Sequence, residues 1–242
     1  MSVILILGSG PNVVACRDWS RDPFDRILAI NNAWAVRPDW DDLIHPEDFP
    51  EERRPVDVAP HQRIITAADY VPLQNTLGGF VYAGGTMAFT AAYWALAALQ
   101  PKVIAMLGCD MVYTPSKNTH FYGKGTADPL RKDVTLRSLE AKSARLMAMA
   151  ARQGCAMVNL SRDQSRLIFP RQRPETLHEA KIIAPDRNTV KAALAEETRL
   201  GYYVPSGKYW TVEDQFDPEA IDVLDAMWRE AFKTDHAAEM AP

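Results

Sequence analysis

Two stretches of this chain are apolar at every position and stop at glycine: VILILG at residues 3 to 8, and VIAMLG within KVIAMLGCDM at 102 to 111. A strand with one wet face alternates apolar and polar side chains. A run without alternation belongs to a strand covered on both faces. Sheets covered on both faces are parallel for the most part, and parallel neighbours need long crossover connections. RILAINN at 26 to 32 and CAMVNLS at 155 to 161 repeat the pattern, and DLIH at 42 to 45 and QRIIT at 62 to 66 are shorter strand candidates.

The segments between these runs have the helical character that crossovers require. TMAFTAAYWALAAL, 86 to 99, is rich in alanine and too long for an ordinary strand. It predicts a buried helix of about 21 Å at 1.5 Å per residue. Residues 133 to 153 place Leu136, Leu139, Ala144, Leu146, Met147 and Ala151 at helical spacing and end at Gly154, a suitable helix stop. Strand and helix alternate, which predicts an α/β chain: a Rossmann-like open, mostly parallel sheet flanked by helices.

The chain's 242 residues are 47% hydrophobic and 24% charged, with a net charge of −4. That is the mix of a soluble protein with a core. The basic residues are scattered, which argues against a nucleic-acid partner. No apolar run reaches the roughly 18 residues of a membrane span. Met1-Ser2-Val3 enters the first strand directly, so the expected location is cytoplasmic. Cys16, Cys109 and Cys155 are odd in number and far apart, and are expected to be small buried hydrophobes rather than a disulfide or zinc framework.

Glycine turns at strand ends are where α/β sheets approach phosphates through backbone N–H groups. LILGSGPN, 5 to 12, is such a turn, but two common forms do not fit it. A P-loop needs Gly-Lys-Ser/Thr where Pro11-Asn12 stands. The dinucleotide fingerprint needs a third glycine at Val13 and an acidic residue ending the second strand, which ends in Asn31-Asn32. An amide both donates and accepts, so these asparagines suit a base or ribose edge. Gly84-Gly85-Thr86 precedes the long buried helix, and Gly108-Cys109-Asp110 ends the central strand. Ligands of open α/β sheets bind at the carboxyl ends of strands, so these signals are expected on one rim. A turn kept only for packing is the plain alternative for each glycine.

The ordered motifs resemble those of the bacterial sialyltransferases of glycosyltransferase family 42. They are a strand then GSGPN, a strand ending in Asn, Gly-Gly-Thr before an Ala-rich helix, and KVIAMLGCD with a following Tyr/His loop. They are also similar to the related domain of archaeal-type 6-hydroxymethylpterin diphosphokinases and flagellin-modifying glycosyltransferases. The likeness spans about residues 3 to 168. It implies a nucleotide-binding catalytic domain at 1–170; after Pro170 the chain turns polar with prolines and charges, and 171–242 reads as an accessory tail outside the likeness, a lid or an oligomerisation arm. The tail carries helical stretches near 188 to 199 and 217 to 233.

The family's scaffold binds a cytidine-monophosphate sugar. The resemblance implies that Gly8, Ser9, Gly10 and Asn12 line the nucleotide, with Asn31 or Asn32 on ribose or phosphate. Gly84, Gly85 and Thr86 would lie near phosphate and base, although the family's hydroxyls are missing at 83 to 85. Gly108 and Asp110 would close the floor, and Asn159, Ser161 and Ser165 of NLSRDQSRL would contact the nucleotide. Tyr113 and Tyr122 would stabilise the leaving phosphate. His120, in a lid shortened to about residues 112 to 132, is the candidate base.

Such a constellation performs sugar transfer. A histidine, with an ordinary pKa of about 6.5, accepts the acceptor's proton. Hydroxyls and amides stabilise the departing phosphate. A loop with Gly123 and Gly125 closes over the site. Lys117, Lys124, Arg131 and Lys132 would attract an anion, and Arg162, Arg166 and Arg171 would reach phosphate; solvated loops explain both sets as well. Asp110 caps a turn or binds Mg2+. His45-Pro46-Glu47-Asp48 contacts an acceptor or forms a surface turn. Met87, Phe89 and Trp94 are core. The leading expectation is a transferase using a nucleotide-sugar donor and a small-molecule or glycan acceptor. The alternatives are an ATP- and Mg2+-dependent diphosphokinase-type transferase, favoured if Asp48 and Asp110 converge, and a non-catalytic nucleotide-binding protein.

Overall fold

The structure, a computed structural model, describes residues 2–113, 118–123 and 131–233. Six strands form one all-parallel sheet: β1 (Val3–Leu7), β2 (Arg26–Ile30), β3 (Asp42–Ile44), β4 (Arg63–Ile65), β5 (Val103–Leu107) and β6 (Ala156–Asn159). Their spatial order is β4-β3-β2-β1-β5-β6. Leu7 stands opposite Ala29 on one side and Leu107 on the other. The chain builds outward from β1 to β4, then returns to the other side of β1. The reversal falls between β1 and β5, which is where open α/β sheets bind ligands.

The continuous apolar runs follow from this layout. Successive strand residues point to opposite faces, and here both faces are covered. Ile4, Ile6, Leu28, Ile30, Ile104 and Met106 join the core beneath the long helices. Val3, Leu5, Leu7, Ile27, Ala29 and Val103 face the other layer. That second layer is thin. Its crossovers are 3-10 segments, Pro11–Asp18 and Asn31–Val36. Each buries residues three apart, Val13 with Cys16 and Ala33 with Val36. In a 3-10 helix residues i and i+3 eclipse, so a narrow apolar edge suffices to cover the sheet.

The thick layer contains α1 (Ala67–Thr76), the short α2 (Phe80–Ala83), α3 (Met87–Leu99), α4 (Leu139–Arg152), α5 (Arg187–Leu200) and α6 (Pro218–Glu230). α3 is buried from Phe89 through Leu96, and its small side chains let it lie close against the central strands. The expected strands and the longer helices are found within a few residues of their expected limits. α1 and α2 were not foreseen. Phe89 and Trp94 are buried core residues, and the three cysteines are buried and free. No helix among the described residues is long and apolar enough to cross a membrane.

The segment after Pro170 packs into the same core as the sheet. Val190, Tyr209, Phe216, Ile221, Leu224 and Trp228 belong to the cluster that holds Ile6 and Met106. Two buried ion pairs fix α5 and α6 to α4. Lys142 Nζ lies 2.7 Å from Asp225 Oδ1. Arg145 donates to both Glu197 oxygens, at 2.6 and 2.8 Å, to the Tyr93 hydroxyl at 2.7 Å and to the Leu77 carbonyl at 2.8 Å. The Trp228 indole N–H adds a bond to Glu197 Oε1 at 3.0 Å. Buried charges persist only where hydrogen bonds replace water, and the Arg145 guanidinium is surrounded by acceptors.

Candidate functional site

Polar side chains converge at the carboxyl ends of β1, β5 and β6. Asn12, just past β1, donates from Nδ2 toward Asp110 Oδ2 at 2.7 Å, Ser161 Oγ at 2.8 Å and Asp163 Oδ2 at 3.0 Å. Asn159, the last residue of β6, donates to Asp110 Oδ1 at 3.1 Å and Ser165 Oγ at 3.0 Å. Its side-chain Oδ1 accepts from the Ser161 N–H at 2.9 Å. The Arg166 N–H donates to the Asp110 carbonyl at 2.9 Å, which ties the 160–166 turn to the end of β5. Asn12, Asp110, Asn159, Ser161 and Ser165, all expected from the sequence, are therefore joined in one network at the switch point.

The glycines of the two central turns meet backbone to backbone. Gly8 N–H donates to the Leu107 carbonyl and Gly10 N–H to the Gly108 carbonyl, both at 2.8 Å. A Cβ on Gly8 would stand 2.4 Å from the Gly108 oxygen, and one on Gly10 2.7 Å from it. Gly108 has φ +73, and a Cβ there would stand 2.8 Å from both Gly8 O and Val13 Cβ. These glycines let β1 and β5 continue side by side past the sheet edge. The N–H groups of Gly8 and Gly10 are spent on that approach, and the close contacts at all three glycines support the packing explanation.

Left-handed backbone marks the same rim. Asn31, at the end of β2, has φ +51, and Met111, just after Asp110, has φ +54. The second is uncommon for a residue with a long side chain. Such conformations cost energy and cluster where a chain must present particular groups. Asn31 and Asn32 are half-buried beside Ser9, whose hydroxyl reaches the Ile30 carbonyl only at 3.5 Å.

A short arm of the loop after β5 sits on this rim. The Phe121 N–H donates to the Ser9 carbonyl at 3.0 Å, and His120 and Gly123 exchange backbone bonds at 3.0 and 3.1 Å. His120 stacks on Tyr122 with ring centres 4.9 Å apart, and its Nδ1 lies 2.8 Å from Thr119 Oγ1. Where Nδ1–H donates to Thr119, Nε2 carries the lone pair of a base. Tyr113 packs against the core of the thick layer, whereas Phe121 packs against the thin one. Tyr113 and Phe121 therefore stand on opposite sides of the sheet. Tyr122 and His120 share one arm; Tyr113 belongs to another part of the loop. Lys117, Lys124 and Gly125 lie outside the described residues.

Gly84, Gly85 and Thr86 meet a different fate from the one expected. The backbone N–H of Gly85 donates to Thr135 Oγ1 at 2.9 Å, and its carbonyl accepts from Arg131 at 3.0 Å. The Thr86 hydroxyl caps α3 by accepting from Phe89 N–H. Tyr209 from the tail places its hydroxyl where a Gly85 side chain would lie. That hydroxyl donates to Asp133 Oδ2 at 2.7 Å and accepts from Arg131 at 2.8 Å. Burial pushes the Asp133 carboxyl up, but bonds from Thr135, Tyr209 and Arg131 outweigh it and hold the pKa below the ordinary carboxylate range. Tertiary packing has sealed this glycine pair with protein groups in place of a phosphate.

The remaining expected residues divide cleanly. Arg166 pairs with Glu140, and Arg171 donates to the carbonyls of Ser161 and Asp163 while standing 3.8 Å from Asp110. Arg162 and Lys132 are exposed. His45 is buried, with Nδ1 2.8 Å from the Pro46 carbonyl and its ring tilted on Phe49. Asp48 follows β3 and Asp110 follows β5, three strand spacings apart. That is about 14 Å at 4.8 Å per spacing, so the two do not converge. Among the described residues no group of three or more His, Cys, Asp or Glu is placed to hold a metal ion. One surface depression lies at the opposite sheet edge between Thr76, Ala97, Gln100 and Gln153; a second lies between Glu140, Met147, Ile183 and Phe232.

Asp163 and Thr119 were not anticipated. Asp163 lies within NLSRDQSRL, but only its place opposite Asn12 distinguishes it from the other polar residues there. Thr119 precedes His120 directly, a signal that was available. Comparison with protein-family models, with curated proteins and with solved structures gave no match.

Proposed function

We propose that the chain is a glycosyltransferase-like enzyme that takes a nucleotide-activated sugar, with a nucleoside-monophosphate sugar such as a CMP-sugar as the first candidate. One observation carries this reading. Asn12, Asp110, Asn159, Ser161 and Ser165 come from three strand ends and close into a single network at the β1/β5 reversal. An α/β sheet offers ligands its crevice at that point. The His120 arm seated on Ser9 supports the catalytic half of the reading.

In this scheme His120 accepts the acceptor's proton. Thr119 holds the ring with Nδ1 engaged. Tyr122, stacked on His120, is the hydroxyl suited to the leaving phosphate. Ser9, Asn31 and Asn32 line the approach from the β2 side. Gly84, Gly85 and Thr86 are left out of it: Tyr209 and Thr135 fill the space at Gly85, Lys142 and Phe89 that at Gly84, and the Thr86 hydroxyl caps α3. The reading needs no metal. A cytoplasmic location and a small-molecule or glycan acceptor belong to the same proposal.

The test is a thermal-shift screen with CMP, UDP, GDP and ATP, each with and without Mg2+. A ligand at 100 times its Kd adds about 2.7 kcal/mol of stability. The expected result is stabilisation by CMP without metal. Stabilisation by ATP only with Mg2+ would replace this reading with the diphosphokinase type, and no response to any nucleotide would end it.

A further inference from the structure

Asn31, His45 and Thr66 each follow the last residue of a strand. Those last residues, Ile30, Ile44 and Ile65, stand in register on β2, β3 and β4. The three polar residues therefore form a row one position past the sheet. Ser9 is level with Asn31, because Leu7 stands opposite Ala29. His45 is two strand spacings from Ser9, about 10 Å at 4.8 Å each. Thr66 is spent on capping α1 with Asp69. Asn31 and His45 are not spent.

His45 is 5% exposed and its ring is fixed. Phe49 lies against it with ring centres 5.1 Å apart, and Nδ1 is 2.8 Å from the Pro46 carbonyl oxygen. A carbonyl only accepts, so Nδ1 carries a hydrogen and the lone pair of the neutral ring is on Nε2. Nε2 has no hydrogen-bond partner among the described residues and is not sealed from solvent. Polar atoms of buried side chains are nearly always paired within the protein. Here a buried, immobile ring presents one bare acceptor at the rim. Asn31 beside it has φ +51, its Oδ1 is buried without a partner, and no described residue bonds its Nδ2. Turned either way, the amide keeps an unspent group at its open end.

Charge and position restrict the ligand. Glu47 and Asp48 follow His45 directly, Lys208 Nζ lies 3.3 Å from Glu47 Oε2, and Arg54 donates to the Phe49 carbonyl. Two cations accompany two carboxylates, so no excess charge attracts an anion. An amide beside a ring nitrogen that accepts matches a hydroxyl, which donates and accepts. The Phe121 N–H bonds the Ser9 carbonyl, which anchors the His120 arm at the β1 end. Asp110 and Asn159 lie on the β5 side of that anchor, and His45 lies on the β2 side.

We propose that His45 and Asn31 form the acceptor subsite, in which His45 Nε2 accepts a hydrogen bond from a hydroxyl of a neutral sugar. This rests on the nucleotide-sugar reading above, which puts the donor at the β1, β5 and β6 ends and leaves the β2 and β3 ends to the second substrate. His45 binds and orients. In the step it serves, another hydroxyl oxygen of that sugar bonds to the donor's anomeric carbon, the bond from that carbon to the phosphate oxygen breaks, the nucleoside monophosphate leaves, and the hydroxyl proton goes to His120.

The experiment uses the full chain, diethyl pyrocarbonate as a probe of bare imidazole nitrogens, CMP, CMP-N-acetylneuraminate as donor, and glucose, galactose, N-acetylglucosamine and lactose as acceptor probes. Peptide mass mapping separates His45 from the other histidines. His45 is expected to be labelled in the native chain, and to be protected by one of the sugars in the presence of CMP but not by inorganic phosphate. His45→Asn keeps an amide N–H for the Pro46 carbonyl and loses the atom at Nε2. It should raise KM for the accepting sugar about fivefold or more, the scale of one lost hydrogen bond, and by more than it lowers kcat. Its melting temperature and CMP affinity should match those of the native chain. His45→Gln, whose amide reaches the Nε2 position, should recover the KM. An unlabelled His45 overturns the subsite, as does an unchanged KM in His45→Asn. Failure of all four sugars to protect His45 or to accept overturns it as well. In each case CMP binding leaves the nucleotide reading standing. Failure of both CMP and the donor to bind overturns both proposals.

Discussion

The Tyr209 hydroxyl lies 1.9 Å from the point where a side chain on Gly85 would begin. The tail and the turn before α3 are therefore shaped to each other, and neither position can change alone. Gly85→Ala is expected to cost about 1–3 kcal/mol, the range for overpacking a tight site. In a Tyr209→Leu background the same substitution should cost less. Urea unfolding of the two single variants and the double variant measures the difference, and equal costs in both backgrounds would refute the coupling.

Asp133 makes this knot sensitive to acid. Its folded pKa is held below the ordinary value by Thr135, Tyr209 and Arg131, against the opposing effect of burial. The folded state therefore binds the proton less readily than the unfolded chain. The stabilising contribution is present above the unfolded value of about 3.9 and is lost as pH falls through the lower folded value. Hydrogen exchange at the Gly85 and Thr135 amides should rise in that acid window before exchange in β1 and β5 does. In Asp133→Asn the pH dependence should disappear, with the amides already less protected near neutral pH.

Glu197 balances a buried guanidinium. Glu197→Ala leaves Arg145 with the Tyr93 hydroxyl and the Leu77 carbonyl but no counter-charge. Removing one partner of a buried pair costs about 3–5 kcal/mol. The same loss detaches the Trp228 indole N–H from its acceptor. Trp228 fluorescence and denaturant midpoint should therefore fall in step. A stability loss under about 1 kcal/mol would show that the pair adds little.

Gly108 tests the contact between the two central turns. Gly108→Ala must accept φ +73 and a Cβ 2.8 Å from both the Gly8 carbonyl and Val13 Cβ. The left-handed conformation alone costs about 1–2 kcal/mol, and the clash with backbone adds to it. The variant is expected to lose more than 2 kcal/mol. It should also lose the rim geometry, since Asp110 is two residues on.

His120 separates chemistry from binding. His120→Ala should abolish transfer and leave the affinity for nucleotide within about threefold of native. Thr119→Val removes the hydroxyl beside Nδ1 and should shift the pH profile of transfer, while Thr119→Ser should restore it. Transfer that survives in His120→Ala would return the base role to another group.

By itself the sequence determined the parallel sheet and its buried strands. Runs such as VILILG and VIAMLG have no polar alternation because both sheet faces are covered, and that reason is local to each strand. Asn12, Asp110, Asn159, Ser161 and Ser165 were named through the order of motifs that resembles a known family, and the structure joins them in one hydrogen-bond network. Tertiary structure decided what each glycine does. Gly8, Gly10 and Gly108 touch one another across ~100 residues of chain, and Gly85 meets Tyr209 from a tail that carries no recognisable motif. A glycine in sequence states only that a side chain is absent. Whether a ligand, another backbone or a tyrosine fills the space depends on long-range packing, as does the choice of Asp163 from the polar residues around it.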